Sequence, residues 1–131
     1  MSQENVEVGR RFWALFNDRG AWWSLLGEEI EWHASADDPD ADVYHGQQSV
    51  RRYAESWIET FPDIRLELVG ESVDLGDHVI TATHLVGKAR TTGIEVREPY
   101  SFLFKISEHK IVHCREFHNN AEALEAVGLE E

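Results

Sequence analysis

The chain has 131 residues, enough for one domain with its own core, and its 42% hydrophobic and 28% charged residues are ordinary for a globular protein. Twenty-five acidic residues against 12 basic give a net charge of −13, which argues against nucleic acid or an anionic membrane as partner, since phosphate binding needs clustered Lys and Arg. The single cysteine, Cys114, excludes an internal disulfide and fits a reducing cytoplasm, while no apolar run suggests a signal peptide or a membrane span.

A first helix is predicted from about Glu4 to Asn17. Val8, Phe12 and Leu15 recur at helical spacing, and Val6, Trp13 and Phe16 widen the stripe. Asp18-Arg19-Gly20 ends it. "AWWSLL" reads as a short second helix ending near Gly27, and Glu29 to Ala34 ("EIEWHA") alternates as a strand does. Ser35 to Gly46 is polar, acidic and holds Pro39, so it is expected to be a loop. "QQSVRRYAESWIETF" follows as a helix, with Val50, Tyr53, Ala54, Trp57, Ile58 and Phe61 on one side and Pro62 as its stop. From there the period changes to two. "IRLELVGESVDL", "HVITATHLVGKAR", "IEVREPYSFLFKI" and "IVHCREFH" read as a meander of about four antiparallel strands, and "AEALEAV" as a last short helix. Helices gathered before a curled sheet must cover one of its faces, which gives a single α+β domain over 1–131.

The order of these elements, with "ENVEVGRRFWALFN", "EEIEWHA", "YHGQQSVRRYAESWIETFPDI", "LGDHVITATHLVGKARTTGIEV" and "KIVHCREFHNNAEALEAVGL", resembles the SnoaL-like, polyketide cyclase-like group of the nuclear-transport-factor-like and ketosteroid isomerase-like superfamily. The resemblance covers nearly the whole chain. It implies a cone, that is, a strongly curved antiparallel sheet wrapped around N-terminal helices as a cystatin-like α+β barrel, enclosing an apolar pocket. Homodimers are common in that superfamily. Its members include cyclases, isomerases, epoxide hydrolases, dehydratases and proteins without known catalysis, so the fold does not settle the function.

Strand alternation puts Cys114, Glu116 and His118 on one face, and His113, Arg115 and Phe117 on the other. In the epoxide hydrolases of the superfamily an Asp follows an Arg on the corresponding strand and enters the pocket. Glu116 occupies the matching place and is expected to be a pocket acid or base; otherwise it faces out and pairs with an arginine. His118 would sit on the same wall near the mouth, where an imidazole suits proton transfer, or would be a half-exposed strand end. By the resemblance, His33 falls near the base of the ketosteroid isomerases, or is simply a polar strand end. Those isomerases use an Asp base, with a Tyr and a protonated Asp as hydrogen-bond donors. Here Phe12 and Phe102 stand at the donor positions, and neither can donate a hydrogen bond. His84 would meet Glu116 if it points inward, which the sequence leaves open. Asn119 with Glu122 three residues on is a helix-start pattern.

Phe12, Phe16, Trp32, Tyr53, Trp57, Phe102 and Phe104, with Cys114, are expected to form pocket wall and core together, suited to a flat apolar ligand. Metal has little support: His113 lies across the strand from Cys114 and His118, and "DDPDAD" lacks the Gly and closing Glu of a calcium loop. No phosphate cradle or nucleophile elbow is present, so no cofactor is expected. Two readings remain. One is a cofactor-independent acid–base enzyme of isomerase, cyclase, dehydratase or epoxide hydrolase type on an apolar cyclic substrate. The other is a non-catalytic ligand-binding or dimerisation scaffold. Leu103, Ile111 and Phe117 on the outer sheet face suggest a homodimer, because a sheet apolar on both faces needs a second cover.

Overall fold

The computed structural model describes residues 2–35 and 42–130. Helix α1 (Ser2–Asn17) leads through a 3-10 turn (Trp22–Leu25) into β1 (Leu26–His33), then β2 (Val43–His45) and α2 (Gln47–Thr60). The strands β3 (Arg65–Leu68), β4 (Val73–Asp74), β5 (His78–Lys88), β6 (Glu95–Ser107) and β7 (Lys110–Phe117) follow, and α3 (Asn120–Glu130) closes the chain. The fold class is α+β, as the element order predicts. Two differences are local. The "AWWSLL" helix is one 3-10 turn, and the expected loop contains β2, three residues that become a strand by pairing Tyr44 with Trp32. Most of the acidic "DDPDAD" segment lies outside the described residues.

Among the described residues, seven strands form one curved sheet in the order β2-β1-β7-β6-β5-β3, with β4 beside β5. Two predictions about this sheet need correction. It is mixed rather than antiparallel, because β1 runs parallel to β7, and it stays open at β2 and β3 instead of closing into a barrel. The edge at β3 is covered: Asn17 donates to the Leu66 carbonyl at 3.0 Å and accepts from the Leu66 N–H at 2.9 Å.

Helix α1 lies in the concave face. Gly9 lets it approach closely, since a Cβ there would come within 3.2 Å of the Thr81 methyl. One turn on, Trp13 Nε1 donates to Thr81 Oγ1 at 2.9 Å, so the buried indole keeps a polar partner. Gly46, with φ of 85°, turns the chain from β2 into α2, a left-handed conformation that costs glycine little. Trp32 on β1, Val79 and Leu85 on β5, Phe102 and Phe104 on β6, and Cys114 and Glu116 on β7 face inward. They meet Val8, Phe12, Trp13 and Phe16 of α1 in one aromatic-rich core.

The outer face departs from strict alternation at Ile111. The register slips between β6 and β7 at Lys105 and Ile106, a bulge that turns Ile111 into the inner core although strict alternation sends it outward. Leu103 and Phe117 do face outward. Together with Ile80 they pack beneath Ala123 and Val127 of α3. The second cover that the sequence assigns to another subunit is therefore supplied in part by the chain's own last helix, and that patch no longer demands a homodimer. Asn119 caps this helix, its Oδ1 accepting from the Glu122 N–H at 2.9 Å while Glu122 Oε1 accepts from the His118 N–H at 3.1 Å. No helix among the described residues is long and apolar enough to cross a membrane.

Candidate active site

Between α1, α2 and the concave sheet lies a cavity of about 50 Å³. Phe12, Trp13 and Phe16 of α1, Trp22 of the 3-10 turn, and Val50, Tyr53, Ala54 and Trp57 of α2 form one side. Trp32, Leu66, Leu85, Tyr100, Phe102 and Glu116 of the strands form the other, with Ile64 ahead of β3. The space holds a few waters or a small molecule. A larger ligand enters only when the aromatic rings turn aside.

Among the described lining residues Glu116 alone carries a carboxylate, and it is only 8% exposed. Burying a carboxylate costs several kcal/mol, of order of magnitude, unless it is hydrogen-bonded. Here donors converge from the end of β1 and from α2. Trp32 Nε1 donates to Oε2 at 2.7 Å, and the Tyr53 hydroxyl donates to the same oxygen at 2.7 Å. The Ser35 backbone N–H donates to Oε1 at 3.2 Å. Tyr53 is held in turn by the ring of Tyr44 on β2, stacked at 4.4 Å.

His118 stands beside this network rather than in the cavity wall. Its Nε2 is 3.4 Å from Ser35 Oγ, and its ring lies 5.9 Å from that of Tyr100. Ser35 thus touches Glu116 through its N–H and His118 through its hydroxyl. The cap of α3 fixes the His118 backbone from behind.

The other two histidines take the outward of their two alternatives. His33 follows inward-facing Trp32 on β1, so alternation sends it outward, where it pairs with Glu31 at 3.2 Å. His84 lies between inward Thr83 and Leu85 on β5 and therefore also faces out, with Nδ1 3.2 Å from Arg97. Neither lines the cavity. Of the expected wall, Phe12, Phe16, Trp32, Tyr53, Trp57 and Phe102 line it; Phe104 and Cys114 pack in the core behind. Trp32 and Tyr53 do more than the wall role assigned from sequence. Each carries a polar hydrogen that needs an acceptor once buried, and that requirement was the available signal. Ser35 contributes through its backbone, which no residue pattern announces.

Burial pushes the Cys114 thiol well above its ordinary range, and the nearby Glu116 charge adds to this. The folded protein then retains a proton that an unfolded thiol gives up near pH 8.5, roughly. Its contribution to stability is complete below that pH and is lost as pH rises through the alkaline range. Native protein is expected to resist Ellman's reagent at pH 8 and to react fully in urea; equal rates in both would show an accessible thiol.

The curved mixed sheet, the helices in its concavity and the acid at the end of the last strand define a nuclear-transport-factor-like, ketosteroid isomerase-like α+β fold. The chain belongs to the SnoaL-like domain family, whose sequence profile matches residues 10–114. A Jannaschia protein assigned as a SnoaL-like polyketide cyclase is similar over 93% of this chain and 90% of its own, with a TM-score of 0.77 and 16% identity. A Catenulispora acidiphila protein with a ketosteroid isomerase-like fold, crystallised with trimethylamine, aligns over 86% of this chain and 85% of its own, with a TM-score of 0.74 and 12% identity. TerC, co-crystallised with polyporic acid, aligns over 93% of this chain and 96% of its own, with a TM-score of 0.76 and 15% identity. No protein of curated function matches the chain by sequence. At these identities the likeness establishes the fold.

Proposed function

We propose that the protein is a cofactor-independent acid–base enzyme acting on a small apolar cyclic substrate. The observation that carries this is Glu116, a carboxylate enclosed in an otherwise apolar aromatic cavity and held by Trp32, Tyr53 and Ser35. In the proposed step the Glu116 carboxylate takes a proton from an acidic C–H of the bound ligand. The electron pair left behind delocalises onto a ligand carbonyl, and the same proton returns at another carbon or drives loss of water. Trp32 and Tyr53 hold the carboxylate in place through both halves of the step. That TerC was co-crystallised with polyporic acid supports a small organic ligand for a cavity of this fold.

A specific observation favours a binding role as the second reading. Trp32 and Tyr53 direct their donors at Glu116, and Phe12 and Phe102 carry no hydrogen that a developing oxyanion could accept.

A thermal-shift screen tests the first reading, beginning with cyclic enones, quinones and epoxides small enough for the cavity. A ligand at a hundredfold its Kd adds about 2.7 kcal/mol, a rise in Tm of roughly 10 °C for a domain of this size. One responding class, followed by turnover of that class, is the expected result. Binding without turnover would leave the second reading, and silence from all three classes would overturn both.

A further inference from the structure

The outer face of the sheet brings together three side chains that the cavity does not use. Alternation puts Glu31 and His33 on the far side of β1 from Trp32, and His113 on the far side of β7 from Cys114. His33 Nε2 lies 3.2 Å from Glu31 Oε1, and the His33 and His113 rings are 4.8 Å apart. One candidate ligand atom from each residue falls within 4.8 Å of the other two, and all three residues are half-buried.

We propose that Glu31, His33 and His113 form a zinc site. Two imidazoles and a carboxylate are a donor set that zinc accepts, and three protein ligands leave a fourth position for water or another side chain. Zinc bonds to such atoms are about 2.0–2.2 Å long, so tetrahedral neighbours stand about 3.3 Å apart. The Glu31 and His33 pair already has that spacing at 3.2 Å, and the His113 ligand atom, within 4.8 Å of both, has to move in to complete the triangle. His45 on β2 is the direct register partner of Glu31 on the same face, but its imidazole is not part of the cluster, so water takes the fourth position.

Two cations are register partners of the cluster's histidines. Arg115 is the register partner of His33, but its guanidinium lies over the Phe117 ring at 5.2 Å, beside the patch covered by α3. Lys105, opposite His113, is exposed, and its charge is screened by solvent. Zinc here would tie β1 to β7, the strands whose inner faces carry Trp32 and Glu116.

The intact chain, stripped with a chelator and dialysed, is titrated with zinc chloride by calorimetry. One zinc per chain is expected, at micromolar Kd or tighter, with no displacement by millimolar calcium chloride. His33→Gln, His113→Gln and Glu31→Gln should each weaken binding tenfold or more. His78→Gln and His109→Gln, whose imidazoles pair with Asp77 and Glu4 elsewhere, should leave it unchanged. Circular dichroism of the zinc-free variants confirms that they are folded. Absence of saturable binding to the wild type, or binding that survives in the His33→Gln/His113→Gln double variant, overturns the site.

Discussion

Glu116→Gln is expected to lower turnover of the natural substrate by about 100-fold or more while leaving its affinity within a few-fold of wild type. The amide has nearly the shape of the carboxylate. Its oxygen can take the place of Oε2 and accept from Trp32 and Tyr53, both at 2.7 Å. Its NH₂ group then meets the Ser35 N–H, donor against donor, where Oε1 accepted at 3.2 Å. That mismatch costs about 1 kcal/mol, partly offset because no charge is now buried. The fold therefore survives, and the variant separates proton transfer from binding. Steady-state kinetics with the ligand found by the screen gives the kcat and KM effects. Unchanged kcat would remove Glu116 from the reaction and leave a cavity that binds.

Phe12→Ala is expected to cost about 3–5 kcal/mol, read as the shift in urea midpoint at constant slope. Phe12 is 1% exposed, and its ring meets those of Trp13, Trp22, Trp32 and Phe104 at 4.8, 5.8, 5.9 and 5.5 Å. Three of these contacts are edge-to-face, the arrangement that adds to simple burial. The void would open onto the existing cavity, whose walls are held by the sheet and cannot collapse into it. Against a total stability of about 5–15 kcal/mol the loss is severe. A cost below about 1.5 kcal/mol would show that neighbouring rings refill the space.

Which parts of this structure were legible follows from which signals are local. The spacing of Val8, Phe12 and Leu15, and the stop at Pro62, are properties of a few neighbouring residues, and α1 and α2 lie where they indicate. Alternation alone puts Glu116 on the Cys114 face, and the structure has it there. His33 shows the same rule being overridden: Ile30 and Trp32 are inward, so their alternation sends His33 out, while the family resemblance drew it into the pocket. His84 had no such anchor, because Val79 faces the inner core and Ile80 the α3 patch, so β5 is apolar on both faces. The bulge that turns Ile111 inward, the strand at β2, and the meeting of His33 with His113 all depend on partners far along the chain.

The parallel pairing of β1 with β7 has a consequence for the order of folding. Glu116 takes its hydrogen bonds from residues 84, 63 and 81 positions earlier. Closing loops of that size is slow and comes at an entropic cost that grows with length. During synthesis α1, β1 and α2 emerge well before the strand that carries the acid. Trp32 and Tyr53 must wait for their acceptor, and the site comes into being in one event, when the last strand slots between β1 and β6. Until that strand docks, the carboxylate and the donors that hold it are not yet together.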